Sequence, residues 1–210
     1  MPRAGLTRAA VVDLAQAVAD DAGPGGFDAL TLASVAARAG VAVPSLYKHV
    51  DGLPDLRREV ALRAVEDFTA AVGSAVASAE AGHPSRALRT AARMIRAYAL
   101  AHPARYAAVQ AAPSLGDLPD GRLSGASARA VAVLADALRA AVPRRPGGAD
   151  HPPNDAAEAA DAEVHVVRLV RAAVHGFVDL ELRGGFALPQ DRDASFERLL
   201  DVLARGLHLA

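Results

Sequence analysis

The stretch "TLASVAARAGVAVPSLYKHV", residues 31 to 50, decides the fold of this chain. Thr31 is a good helix N-cap, and Leu32, Val35, Ala36 and Ala39 then recur at the spacing of one helix face. Gly40 follows where a helix stops in left-handed backbone, a conformation glycine adopts without a Cβ clash. Pro44 suits the first turn of a next helix, because its missing N–H has no partner there in any case. Two short helices around a tight glycine turn make a helix-turn-helix, whose second helix can enter a DNA major groove. Ala36 and Gly40 are small where the pair must cross, and Leu32, Val35, Val41 and Leu46 are its expected shared core. The outer side of the second helix sets it apart from an ordinary helical hairpin. Ser45, Tyr47, Lys48 and His49 all carry hydrogen-bond donors, beside a helix N-terminus whose free N–H groups favour anions. Lys48 is the one lysine among 23 basic residues, the rest being arginine.

Working outward, Thr7 caps a first helix to about Ala22, with Val11, Leu14, Ala15, Val18 and Ala22 on one face. "GPGGFDALT" (23–31) breaks it. Beyond "DG" a long fourth helix runs from about Leu53 to Glu80, with Leu56, Val60, Phe68, Val72 and Val76 facing inward. Further helices are expected at 84–102, 104–112, 122–141, 157–183 and 192–208, and loops at 113–121 and 143–156. No strand-like alternation or internal repeat occurs, so the predicted fold is all-α with about nine helices.

The bulk numbers exclude several classes. Length, 210 residues, and 52% hydrophobic content suffice for a buried core. The net charge is −1, and residues 1–58 hold six basic and six acidic side chains, so a nucleic-acid site here must be local. Absence of cysteine excludes disulfides and thiolate metal sites. No signal peptide or membrane-length apolar run is present, so the expected location is the cytoplasm, with no membrane partner. Phosphate-binding glycine loop, nucleophile elbow, His-Glu-x-x-His and paired carboxylates are all missing. No enzyme activity, cofactor or metal is expected.

The segment "FDALTLASVAARAGVAVPSLYKHVDGLPDL", Phe27 to Leu56, resembles the tetracycline-repressor (TetR) family of bacterial transcription regulators. The glycine-aromatic entry, threonine cap, Ala-Gly-Val turn and Leu-Tyr-x-His helix stand in the family's order and spacing. The resemblance implies a three-helix DNA-binding domain at 1–55 and a helical ligand-binding and dimerisation domain at 56–210. It implies that Thr31 anchors a phosphate, that Pro44 and Ser45 face base edges, and that Tyr47 and His49 hold phosphates. Lys48 would reach base edges or the backbone. Ala42 stands where the family commonly has a capping serine, and Leu53 where it commonly has a lysine. Arg57 or Arg58 are the nearest replacements for that lysine.

"AAVHGFVDLELRGGF" (172–186) and "FERLLDVLARGL" (196–207) resemble a TetR subgroup with a Trp-His-Gly signature, although Val174 replaces the tryptophan before His175 and Gly176. The residues give their own argument for a partner. Phe196, Leu200, Leu203 and Leu207 form one stripe on the last helix, and Leu199, Val202 and Leu209 another. The helix before it is apolar over much of its circumference, which is more than one core normally covers. A homodimer through a four-helix bundle is expected, with Val170, Val174, Phe177, Leu199, Val202 and Leu203 at the interface. Met94, Tyr98, Tyr106, Val109, Gln110 and Phe177 supply apolar walls with a few polar points, as a small-molecule pocket requires. Arg86, Arg89, Arg93 and Arg96 make a basic stripe, expected to be a solvated face. His165 and His175 lie about 80° apart on their helix, poor joint metal ligands.

The expected function is a ligand-responsive regulator, a homodimeric repressor of a palindromic operator released by a small-molecule effector. The alternative is a helical small-molecule-binding or metal-sensing protein whose N-terminal hairpin is structural.

Overall fold

The computed structural model describes residues 6–78, 84–139 and 155–207. All regular structure among them is helical. The α-helices are α1 (Arg8–Asp21), α2 (Leu32–Ala39), α3 (Leu53–Ser78), α4 (Pro84–Ala101), α5 (Pro103–Ala111), α6 (Arg122–Arg139), α7 (Asp155–Leu182) and α8 (Arg192–Gly206). A 3-10 segment, Val43–Lys48, stands between α2 and α3 and makes the ninth helix of the expected series. Most of the predicted 143–156 loop lies outside the described residues.

The chain forms two compact units. The first comprises Met1–Thr69 with Tyr98–Ala130, the second Ala70–Ala97 with Val131–Ala210. Within the first, α1 packs on α2 and α5 around a core of Val11, Ala15, Phe27, Leu30, Val35, Leu46, Val50 and Leu56. Ala108, Leu118 and Leu123 join that core from later in the chain. Each large aliphatic or phenyl group buried there stabilises the fold by about 1.5–3 kcal/mol. Gly26 is indispensable, since a Cβ there would meet the Ala19 carbonyl oxygen at 1.9 Å. The inner face of α1 is Val11, Val12, Ala15, Gln16 and Ala19. Of the face expected from sequence, Leu14 and Val18 are only half-buried and Ala22 is exposed. The helix stops at Asp21, so Ala22 is its C-cap and enters the glycine turn instead.

In the second unit, Leu88, Ala91, Ala92 and Ile95 of α4 are buried, as are Val167, Val170, Val174 and Val178 of α7. From α8 come Phe196, Leu200 and Leu203, and its C-cap Leu207 is buried with them. The arginine stripe of α4 is not a free solvated face. Arg89 bonds Asp201 at 2.6 Å, Arg93 grips both oxygens of Glu197 at 2.8 and 2.7 Å, and Arg96 grips Glu181 at 2.7 Å through two nitrogens. Asp193, Glu197 and Asp201 repeat every four residues on α8 and so present one acidic edge to that stripe. Arg96 also lies over the rings of Phe196 and Phe177, at 5.0 and 5.9 Å from their centroids.

Candidate nucleic-acid interface

Local chemistry builds the interface. The Thr31 hydroxyl accepts from the Ser34 N–H at 3.1 Å, and the Thr31 N–H donates to Ser34 Oγ at 3.2 Å, a reciprocal capping box that starts α2. At the other end Gly40 takes φ +66° and ψ +33°, where a side chain would be strained. The Val41 N–H then returns to the Ala36 carbonyl at 3.0 Å, closing the helix and turning the chain towards Pro44.

The segment that follows differs from the α-helix expected on sequence. It is a 3-10 helix, begun by an Ala42 that offers no side-chain cap, and closed by His49 N–H to Leu46 O at 2.8 Å. With no cap and with proline in its first turn, so short a segment forms few bonds of the α type, and the tighter i to i+3 pattern prevails. Leu46 is its anchor, fully buried against the core, with Val50 beneath. The anchor fixes what the other side presents. Pro44, Tyr47 and Lys48 are exposed, Tyr47 by 58%, while Ser45 and His49 are half-buried. Thr31, at the start of α2, is exposed as well. The six residues expected to touch DNA therefore all retain accessible surface.

Their electrostatic state separates them from the arginines nearby. Arg8, Arg38 and Arg63 are engaged by carboxylates, Arg38 with Asp21 at 2.6 Å and Arg63 with Asp13. Arg57 donates to the carbonyls of Asp28 and Leu30 at 2.7 and 3.3 Å, so it holds the loop ahead of α2. That internal duty weakens its case as a replacement for the lysine missing at Leu53. Lys48 makes no ion pair or hydrogen bond with any described residue.

The other expected sites divide between the units. Tyr98 and Tyr106 are buried in the first, each beside Phe68, with ring centroids 5.4 and 6.4 Å away. Gln110 is exposed and donates to the Tyr106 hydroxyl at 3.1 Å, and Val109 is half-buried. The Tyr98 hydroxyl is buried without a hydrogen-bond partner, and burial, with Asp67 adding, pushes its pKa up to about 12. Met94 and Phe177 are half-buried in the second unit, where the Phe177 ring meets those of Phe186 and Phe196 at tilted angles. Val170, Val174 and Leu203 are buried in that unit itself, Leu199 is half-buried and Val202 is 59% exposed. The interface residues expected from sequence leave out Leu169 and Leu180 of the same apolar helix, α7, which are 52% and 48% exposed. With Ala173 and Gly176 they fall within about 60° of one another at about 100° per residue, one apolar strip facing away from the buried valines. His175 is half-buried, and burial followed by Arg171 pushes its pKa down to about 4. Among the described residues no group of three His, Asp or Glu is placed to hold a metal, and no helix is long and apolar enough to cross a membrane.

Comparison with known proteins agrees with this arrangement. A family model described as "Tetracyclin repressor-like, C-terminal domain" matches residues 88–203. An uncharacterized HTH-type transcriptional regulator of Mycobacterium tuberculosis is 33% identical over 184 residues, covering 87% of this chain and 74% of that protein. The crystal structure of Mycobacterium smegmatis BioQ is similar at 25% identity and TM-score 0.62, over 97% of this chain and 98% of that one. The Streptomyces coelicolor TetR family protein ActR, solved in complex with (S)-DNPA, shares the fold at 19% identity and TM-score 0.61, over the same shares of the two chains. With a helix-turn-helix built from residues 31–50 and a family match over more than half its length, this chain belongs to the tetracycline repressor-like (TetR) family of ligand-responsive, DNA-binding transcriptional regulators.

Proposed function

We propose that the protein is a homodimeric repressor which reads a palindromic operator through residues 31–49 and releases it when a small molecule binds. The observation that carries this reading is the contrast at the recognition segment. Lys48 stands exposed and unpaired, flanked by the donors of Tyr47 and His49, while Arg8, Arg38 and Arg63 are held by carboxylates and Arg57 by backbone carbonyls. A free ammonium on a rigidly anchored turn suits a phosphate or a guanine edge. Tyr47 and His49 hold flanking phosphates, Thr31 anchors another at the start of α2, and Pro44 and Ser45 meet base edges. The DNA-binding domain is then 1–55, and 56–210 serves ligand binding and dimerisation in the cytoplasm, without catalysis.

Dimerisation is assigned to α7 and α8. Their surface leaves Leu169, Leu180 and Val202 about half exposed, and Leu169 and Leu180 share one apolar strip of α7 of the kind a partner covers. Gly176 adds no Cβ and would allow a second helix to approach closely. Two copies would place two recognition segments on one operator. The effector reading rests on Tyr98, Tyr106, Val109 and Gln110, with Met94 and Phe177 as the further candidates of the second unit. An orphan buried hydroxyl such as that of Tyr98 is ordinarily satisfied by water or ligand. ActR, solved with a bound small molecule, is the precedent for such a site in this fold.

Footprinting of the DNA upstream of the protein's own gene, repeated at several salt concentrations, tests the proposal. Protection of a palindrome with affinity that falls steeply as salt rises is expected. Absence of salt-dependent binding would overturn it.

A further inference from the structure

Two carboxylates of the first unit have no place in an apolar core. Asp55 and Glu59 lie one turn apart on α3 and are 4% and 8% exposed. Buried charges persist only when paired and hydrogen-bonded, and these two are paired in a particular order. Glu59 Oε1 accepts from Arg122 Nη2 at 2.8 Å and from Arg8 Nη2 and Nε at 2.9 and 3.2 Å. Arg8 Nη2 also reaches Asp55 Oδ1 at 2.9 Å, and Asp55 Oδ2 accepts the Asp51 N–H at 2.9 Å. The remaining nitrogen of Arg8, Nη1, donates to the backbone carbonyl of His49 at 2.8 Å. Burial works to raise the Asp55 carboxyl, yet the Asp51 N–H and Arg8 hold it below the usual carboxylate range.

Those bonds form one connected path. It starts at Arg122, the first residue of α6, passes through Glu59 on α3 and Arg8 on α1, and ends on the residue that closes the recognition segment. Arg122 is itself braced by Asp120 at 2.5 Å. The guanidinium of Arg8 is a rigid planar fork with all three nitrogens engaged, so any rotation that follows Glu59 carries Nη1 off the His49 carbonyl. We propose that Arg8 and Glu59 are positioning residues for the DNA-contacting segment, and that Arg122, some seventy residues further along the chain and outside that segment, sets their orientation. The proposal rests on the reading of residues 43–49 as the DNA contact. It gives α6 a hold on the recognition segment that needs no contact of its own with DNA.

The test is a double-mutant cycle on the full-length protein, with the duplex defined by footprinting as probe. Arg122 is half exposed at its side chain, so Arg122→Gln should keep the protein folded. It should weaken operator binding by between about two-fold and 150-fold, the range of coupled neighbours. The salt slope should stay unchanged, because no phosphate contact is lost. Arg8→Gln should weaken binding at least as much, and adding Arg122→Gln to it should change nothing further. Arg122→Lys retains a cation at Glu59 and should restore most of the affinity. Should Arg8→Gln unfold, Arg8→Lys takes its place in the cycle, since lysine cannot hold both Glu59 and the His49 carbonyl in one plane. Unchanged affinity in Arg122→Gln, or losses that multiply in the double variant, would overturn the proposal. So would a salt slope reduced by about one, which marks a direct phosphate contact. If the unaltered protein binds no DNA in a salt-dependent way, the reading of 43–49 fails first and takes this proposal with it. If it binds and the losses multiply, the proposal alone fails.

Discussion

The recognition segment and the outer strip of α7 are both surfaces that the described chain leaves uncovered, and they are uncovered in opposite ways. Residues 43–49 bury a single anchor, Leu46, and present donors that water satisfies until a partner replaces it. The strip of Leu169, Ala173, Gly176 and Leu180 presents no polar side chain at all. Water opposes exposure of the second surface at all times, whereas the first is indifferent until a polyanion arrives. One surface therefore fits a partner met reversibly, and the other a partner held throughout.

The largest effect is expected from Leu169→Arg. Its side chain is half exposed in the single chain, so the unit should fold as before, while a charge in the proposed interface would go unpaired. Sedimentation should show monomers, and operator binding should fall by about two orders of magnitude or more as the second half-site is lost. An unaltered dimer would place the interface elsewhere and leave the α7 strip without a permanent partner.

Lys48→Ala comes next. Reading a guanine edge, it should cost about 1–3 kcal/mol at one base pair of each half-site. Holding a phosphate, it should weaken all sequences alike and flatten the salt slope by about one. Affinities for matched and mutated operators at several salt concentrations separate the two, and no change in either would leave Lys48 without a role.

Gly40→Ala addresses the turn that presents the segment. The left-handed backbone at φ +66° should make the substitution destabilising by about 1–2 kcal/mol, read as a lower denaturation midpoint. Space is not the obstacle, since nothing lies within 4 Å of the added Cβ, so the cost isolates the backbone term.

Acid should affect the α7 region through His175. Its folded pKa, about 4, lies below the ordinary 6.5, so folding favours the neutral ring. Stability from this source is complete above about pH 6.5 and is lost as pH falls towards 4. Melting temperature should drop across that window by less in His175→Gln than in the unaltered protein. Equal drops would assign the pH dependence to other groups.

The smallest effect is a gain. Ala42 has the extended backbone of an N-cap but no side chain to fill the role, so Ala42→Ser should stabilise the segment by about 0.5–1 kcal/mol. Thermal melts of the two proteins would detect it.

The sequence by itself determined the helix-turn-helix, because its signals are local. Thr31 caps, Gly40 turns left-handed, Pro44 opens the next segment, and Val35, Ala36 and Leu46 recur where one face needs them. Each acts within about four residues, the range over which backbone geometry and capping are set. Tertiary structure alone decided the rest. On α7 apolar residues occupy two sides, and periodicity does not say which is the core; the fold buried Val170 and Val174 and left Leu169 and Leu180 outside. The arginines of α4 read as a solvated stripe, because their carboxylates lie 85 to 112 residues away. Arg8 gave no sequence signal whatever, since its partners at 49, 55 and 59 meet it only when α1 packs against α3. Charge pairing at such separations depends on which helix faces come together, and that depends on the whole core at once.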